Sequence, residues 1–62
     1  MSHKILRISA VKDRTGLARS TIYHYMSKSD FPKQVKLGPR AAGWLEAEVE
    51  EWIARRVALS KR

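Results

Sequence analysis

Arg19, Ser20, Tyr23, His24, Ser27 and Lys28 are the residues whose types and spacing could do chemistry in this chain. If the segment is helical, Ser20, Tyr23, His24 and Ser27 share one face, flanked by Arg19 and Lys28. That face offers donors, acceptors and positive charge, and it contains no acid. Ala18, Ile22, Tyr25 and Met26 fall on the other side at i+4 and i+3 spacings, which is the apolar stripe of an amphipathic helix. Gly16 precedes it and takes φ > 0 without steric cost, so it can end one helix and redirect the chain into the next. A cationic, hydrogen-bonding helix entered through a glycine turn is the shape that a DNA major groove accepts. An ordinary amphipathic helix with a solvated outer face carries the same pattern, and both readings stay open on this stretch alone.

The elements that would hold this helix follow along the chain. Residues 1–8 read as an extended lead-in with Ile5, Leu6 and Ile8 available to pack. Ser9 is the candidate N-cap of a short first helix from Ala10 to about Thr15, with Val11 inward and Asp13 and Arg14 outward. The second helix starts at Arg19 behind Ala18, a poor capper. Either Ser20 caps it one turn later, or its first N–H groups point outward, to a phosphate or to water. Ser27–Asp30 supplies turn residues, and Pro32 biases Phe31 toward extended backbone.

Lys33–Leu37 alternates, which predicts a strand with Val35 and Leu37 inward and Gln34 and Lys36 outward. Gly38–Gly43 reads as a loop, with Trp44 and Leu45 pairing back, so Arg40 sits at the tip of a two-stranded β-hairpin. A last helix begins near Glu46. Leu45, Val49, Trp52, Ile53 and the stem of Arg56 form its apolar face, and residues 59–62 fray. Its early glutamates and later arginines suit the helix dipole, and Glu51–Arg55 is a well-oriented i, i+4 pair. Trp44 and Trp52 read as core residues. Were one exposed, it would instead be a stacking platform for single-stranded bases. Tyr23 is an outward aromatic that either meets a nucleic acid or lies across its own helix.

Size and charge bound the function. Sixty-two residues make one domain, with a core expected over about residues 6–57 and no room for a deep catalytic cavity. There is no cysteine and no run near the ~20 apolar residues of a membrane span, and Met1–Ile5 lacks a signal-peptide segment. A cytoplasmic, bacterial, nucleoid-associated protein is expected. The net charge is +7; residues 1–45 hold nine basic residues and two acids, whereas residues 46–62 hold four of each. All the excess lies with the glycine turn and the hairpin, which points to a polyanion. His3 and His24 do not make a metal site, and neither HExxH nor a Walker pattern occurs. No cofactor and no enzymatic activity are expected.

An ordered set of short motifs adds a resemblance. Thr15-Gly-Leu-Ala-Arg-Ser-Thr-Ile-Tyr23, Phe31-Pro32, Val35-Lys-Leu-Gly38 and Gly43-Trp-Leu-Glu-Ala-Glu-Val-Glu-Glu-Trp-Ile53 are similar to the AlpA family of phage and prophage regulators. The likeness runs from about Leu6 to Ile53, and this family in turn resembles excisionases and the DNA-binding part of MerR-type regulators. It implies a mainly α fold with a small β-hairpin, a winged helix-turn-helix of three helices and a two-stranded wing. It also implies double-stranded DNA as partner, in transcriptional activation or prophage excision. Arg19, Ser20, Thr21, Tyr23 and His24 then fall on the recognition helix, and Lys36 and Arg40 on the wing. Lys28 and Lys36 would hold phosphate, and Arg40 would reach the backbone or an adjacent minor groove. Ala18 stands where the family commonly has serine. The long dimerisation helix of MerR-type proteins is not expected here, so the chain reads as a monomer or one that self-associates weakly on DNA. RNA polymerase or an integrase would be the protein partner and a membrane would not. A second class of function, a protein-interaction module, would use Ala47, Glu50, Glu51 and Arg55 on the outer face of the last helix.

Overall fold

The computed structural model describes residues 4–61; His3 and the first residues of the expected lead-in lie outside them. The elements run β1 (Ile5–Leu6), α1 (Ile8–Thr15), α2 (Arg19–Ser27), β2 (Val35–Gly38), β3 (Ala41–Leu45) and α3 (Glu46–Ser60). The three helices and the β2–β3 hairpin make the mainly helical winged helix-turn-helix that the family resemblance implies. The hairpin gains a third strand, because the order is β1-β3-β2, antiparallel throughout. Ile5 faces Leu45 and Leu6 faces Trp44, and the ladder continues where Glu46 N–H donates to the Lys4 carbonyl at 2.9 Å.

This third strand explains why Ser9 is not the N-cap of α1. Pairing with β3 fixes the chain as far as Leu6, so it turns at once: Arg7 is the cap, with φ −81° and ψ 168°, and its carbonyl accepts from Val11 N–H at 3.0 Å. Ser9 then lies inside the first turn. Gly16 closes α1 with φ 72°, donating its N–H to the Lys12 carbonyl at 2.8 Å. Thr15 braces the corner, its hydroxyl donating to the Val11 carbonyl and accepting from Leu17 N–H. α2 starts at Arg19 behind an extended Ala18, and no side chain caps it.

The strand region departs from the simple alternation. Lys36 opposes Ala42, which adjoins the fully buried Trp44 two residues on, so Lys36 and Trp44 share a face. Val35 opposes Gly43 and belongs to the other face, where it is half-buried. Between Lys36 and Gly38 the register shifts, and the extra residue, Leu37, is 50% exposed instead of packed inward. The expected Gly38–Gly43 loop is a turn of Pro39 and Arg40 alone, because β3 already starts at Ala41. Gly43 lies within the strand, where a Cβ would meet Ile5 Cγ2 at 2.4 Å and the Leu6 carbonyl oxygen at 2.7 Å. Its bare backbone is what lets β1 pack so closely.

The core consists of Leu6, Val11, Ile22, Phe31, Trp44, Val49 and Trp52. Phe31 sits edge-on to Trp52 at 4.9 Å and to Trp44 at 6.4 Å, so both tryptophans are core residues as expected. Trp52 Nε1–H donates to the Asp30 carbonyl at 2.6 Å, tying α3 to the end of α2. α3 stays helical through Ser60 instead of fraying from Leu59. Ser60 Oγ donates to the Arg56 carbonyl there. Its glutamates clamp α1: Arg14 donates to Glu50 and, at 2.8 Å, to Glu46. These bonds, Glu50 first and Glu46 second, hold the Arg14 guanidinium above its ordinary pKa.

Candidate nucleic-acid interface

α2 supplies the core of the candidate surface, and its burial follows from its position over Trp44 and Trp52. Ile22 is fully buried, Tyr25 and Met26 are half-buried, and Tyr25 packs on Trp52 at 6.1 Å. The opposite arc, Arg19, Ser20, Tyr23, His24 and Ser27, is exposed. Thr21 is not brought into that arc; it is half-buried on its flank. Lys28 follows as the exposed C-cap, its N–H donating back to the Tyr25 carbonyl at 3.2 Å, and Ser29 takes φ 58° to leave the helix. The Ala18 end keeps its first-turn N–H groups free of any side-chain cap. A nine-residue helix is about 13 Å long at 1.5 Å per residue.

Tyr23 is the best-anchored member of the arc. Its ring meets Trp44 edge-on at 6.2 Å, and the Arg19 guanidinium stands 5.6 Å over its centroid. Its hydroxyl accepts from Gln34 Nε2 at 3.2 Å. Of the two readings for an outward tyrosine, the ring thus lies against its own scaffold while one side stays open, at 36% exposure. Gln34 is a neighbour of Tyr23 that sequence reasoning missed. The alternation of Lys33–Leu37 placed it outward, and no local pattern links residues 23 and 34.

The hairpin contributes Lys36 and, in the two-residue turn, Arg40, both exposed. Ion pairs sort the cations of the chain. Lys4 and Arg14 pair with Glu46, Arg14 also with Glu50, Arg55 with Glu51, and Arg56 with Asp30. Arg19, Lys28, Lys36 and Arg40 have no carboxylate within ion-pair distance among the described residues, nor do Arg7, Lys12, Lys33 and Lys61. Arg56 is further stacked on Trp52 and Tyr25, at 4.8 and 5.4 Å, which makes it part of the scaffold. Four of the six acids, Asp30, Glu46, Glu50 and Glu51, are thus engaged around α3, while Asp13 of α1 and Glu48 pair with nothing among the described residues and the cations of α2 and the hairpin are left unneutralised. No group of three metal-ligating side chains occurs among the described residues, and none of their helices is long and apolar enough to cross a membrane.

The comparisons with known proteins agree with this architecture. The model of the prophage CP4-57 regulatory protein (AlpA) family matches residues 4–57. The DNA-binding transcriptional activator AlpA of Escherichia coli (strain K12) is 42% identical over 62 aligned positions, covering 90% of this chain and 89% of that protein. An uncharacterized protein, ORF88, of Enterobacteria phage P4 is 46% identical over 59 positions, covering 95% of this chain and 67% of that protein. The match spans both helices of the glycine corner, the hairpin and most of α3, so the chain belongs to the AlpA family of prophage regulatory proteins.

Proposed function

We propose that this protein binds double-stranded DNA with sequence preference and acts as a phage or prophage transcriptional regulator. The observation that carries the reading is the sorting of charge: the exposed arc of α2 and the hairpin hold unpaired cations and no acid, while four of the six carboxylates pair around α3. The relative named as a DNA-binding transcriptional activator supports it. Arg19, Ser20, Tyr23 and His24 enter the major groove, whose width of about 12 Å accepts a helix. Thr21 supports them from the flank. Lys28 and Lys36 hold phosphate, and Arg40 at the hairpin turn reaches the backbone or the adjacent minor groove. The chain acts without a cofactor, in the bacterial cytoplasm, as a monomer or through weak self-association on DNA.

Transcriptional activation, repression and excision would use the same DNA contacts. They differ in the protein recruited, RNA polymerase or an integrase, for which the exposed Ala47 and the solvent-exposed Glu51–Arg55 pair of α3 offer a face, Glu50 being held by Arg14. The test is titration of selected and mixed-sequence duplexes against salt. Arg19→Ala and Tyr23→Ala should lose the preference for the selected duplex. Lys36→Ala should weaken both duplexes alike and flatten the salt slope by about 1. Equal losses on both duplexes for all three variants would leave only an unspecific basic surface.

A further inference from the structure

The hydrogen bond between Gln34 and Tyr23 has a direction, and that direction matters on a recognition surface. Gln34 precedes β2, eleven residues beyond Tyr23 in sequence. Its amide nitrogen donates to the phenol oxygen at 3.2 Å, so the Tyr23 oxygen acts there as the acceptor. A phenol has one hydrogen, and with its oxygen already accepting, that hydrogen is left to donate elsewhere. Trp44 meets the ring edge-on at 6.2 Å and Arg19 stands 5.6 Å over its centroid, and both contacts favour this placement of the hydroxyl. Both partners lie at the surface, where an isolated polar contact adds little to folding.

We propose that Gln34 is a positioning residue that sets Tyr23 as a hydrogen-bond donor toward DNA. The target is an acceptor atom: a phosphate oxygen, or a purine N7, guanine O6 or thymine O4 on the major-groove edge. The same contact links the segment leading into the hairpin to the reading helix, and it holds the ring under the Arg19 guanidinium. This inference rests on the DNA-binding reading above.

The polarity can be reversed chemically. Glutamate at this position only accepts and would capture the phenol hydrogen, whereas lysine only donates and would leave it free. The experiment measures the cost of Tyr23→Phe in three backgrounds: wild type, Gln34→Lys and Gln34→Glu. Affinity is read by fluorescence anisotropy on a short duplex selected from a random pool, and on a mixed-sequence duplex. Comparing the cost within each background cancels the charge added at residue 34. Removing the hydroxyl should weaken binding by about five-fold in the wild-type and Gln34→Lys backgrounds. It should change nothing in the Gln34→Glu background. Far-ultraviolet circular dichroism and thermal midpoints should match across the set, which separates positioning from folding. A loss confined to the selected duplex makes the acceptor a base, and an equal loss on both duplexes makes it a phosphate; either supports the donor role. The same cost in all three backgrounds, or a cost kept with Gln34→Glu and lost with Gln34→Lys, overturns the assignment while DNA binding itself stands. Failure of the wild-type protein to bind any duplex at low salt overturns both.

Discussion

Replacing Gly43 with alanine should remove a large share of this domain's stability. The new Cβ would lie 2.4 Å from Ile5 Cγ2 and 2.7 Å from the Leu6 carbonyl oxygen. Rotation of Ile5 relieves the first contact. The second is to backbone, held by the pairing of Leu6 with Trp44 and by the start of α1 immediately after Arg7. β1 must therefore retreat from β3. Overpacking of this kind costs about 1–3 kcal/mol. At about 0.05–0.15 kcal/mol per residue, a chain of this length holds roughly 3–9 kcal/mol in total. Each kcal/mol lost should lower Tm by about 4–8 °C in so small a domain. Urea and thermal unfolding, followed by the fluorescence of the buried Trp44 and Trp52, measure the effect. Gly43→Ala should remain destabilising in an Ile5→Ala background, because that change removes only the 2.4 Å contact. A variant within about 0.5 kcal/mol of wild type, the range of ordinary surface changes, would refute the close docking of β1. Full rescue by Ile5→Ala would show that the backbone contact limits nothing.

Gly16→Ala presents the opposite case: its φ is 72° and nothing lies within 4 Å of an added Cβ, so only backbone strain counts. It should cost about 1–2 kcal/mol in urea unfolding, and Gly16→Asn should cost less. Arg14→Ala should lower Tm by releasing α1 from Glu46 and Glu50, and the difference from wild type should shrink in about 1 M salt. Because Arg14 is raised above its ordinary pKa in the fold through its charged carboxylate partners, its contribution is fully present across the neutral range. It is lost only as pH rises through that raised value, so its Tm effect should be flat across the neutral range. Trp52→Phe keeps an aromatic ring but removes the donor to the Asp30 carbonyl and leaves a gap in the core, and should cost about 2–4 kcal/mol in chemical denaturation.

The helical half of this molecule was legible because its signals are local. Gly16 marks the corner by its backbone freedom, and the spacing of Ile22, Tyr25 and Met26 gives α2 its inner side. The exposed arc with Arg19, Ser20, Tyr23 and His24 followed from the same periodicity. Thr21 fell on the flank, where a resemblance to a motif says less than the helical period does. The sheet was harder to read. Alternation in Lys33–Leu37 reveals a period of two, but not which side meets the core, and a one-residue bulge at Leu37 breaks the phase. Gly43 looked like loop punctuation, yet it serves a close approach by a strand nearly forty residues earlier. Such contacts depend on tertiary placement, as do Arg14–Glu50 and Gln34–Tyr23, and neither partner's neighbours in sequence announce them.

Amide chemical-shift mapping of the protein with a short duplex at low salt decides whether the unpaired cations mark the working surface. Perturbations should gather on Arg19–Lys28 and on residues 34–41, and fade as salt is raised. Perturbations confined to the outer face of α3 around Ala47, Glu51 and Arg55, or none at all, would contradict DNA recognition by α2 and the hairpin.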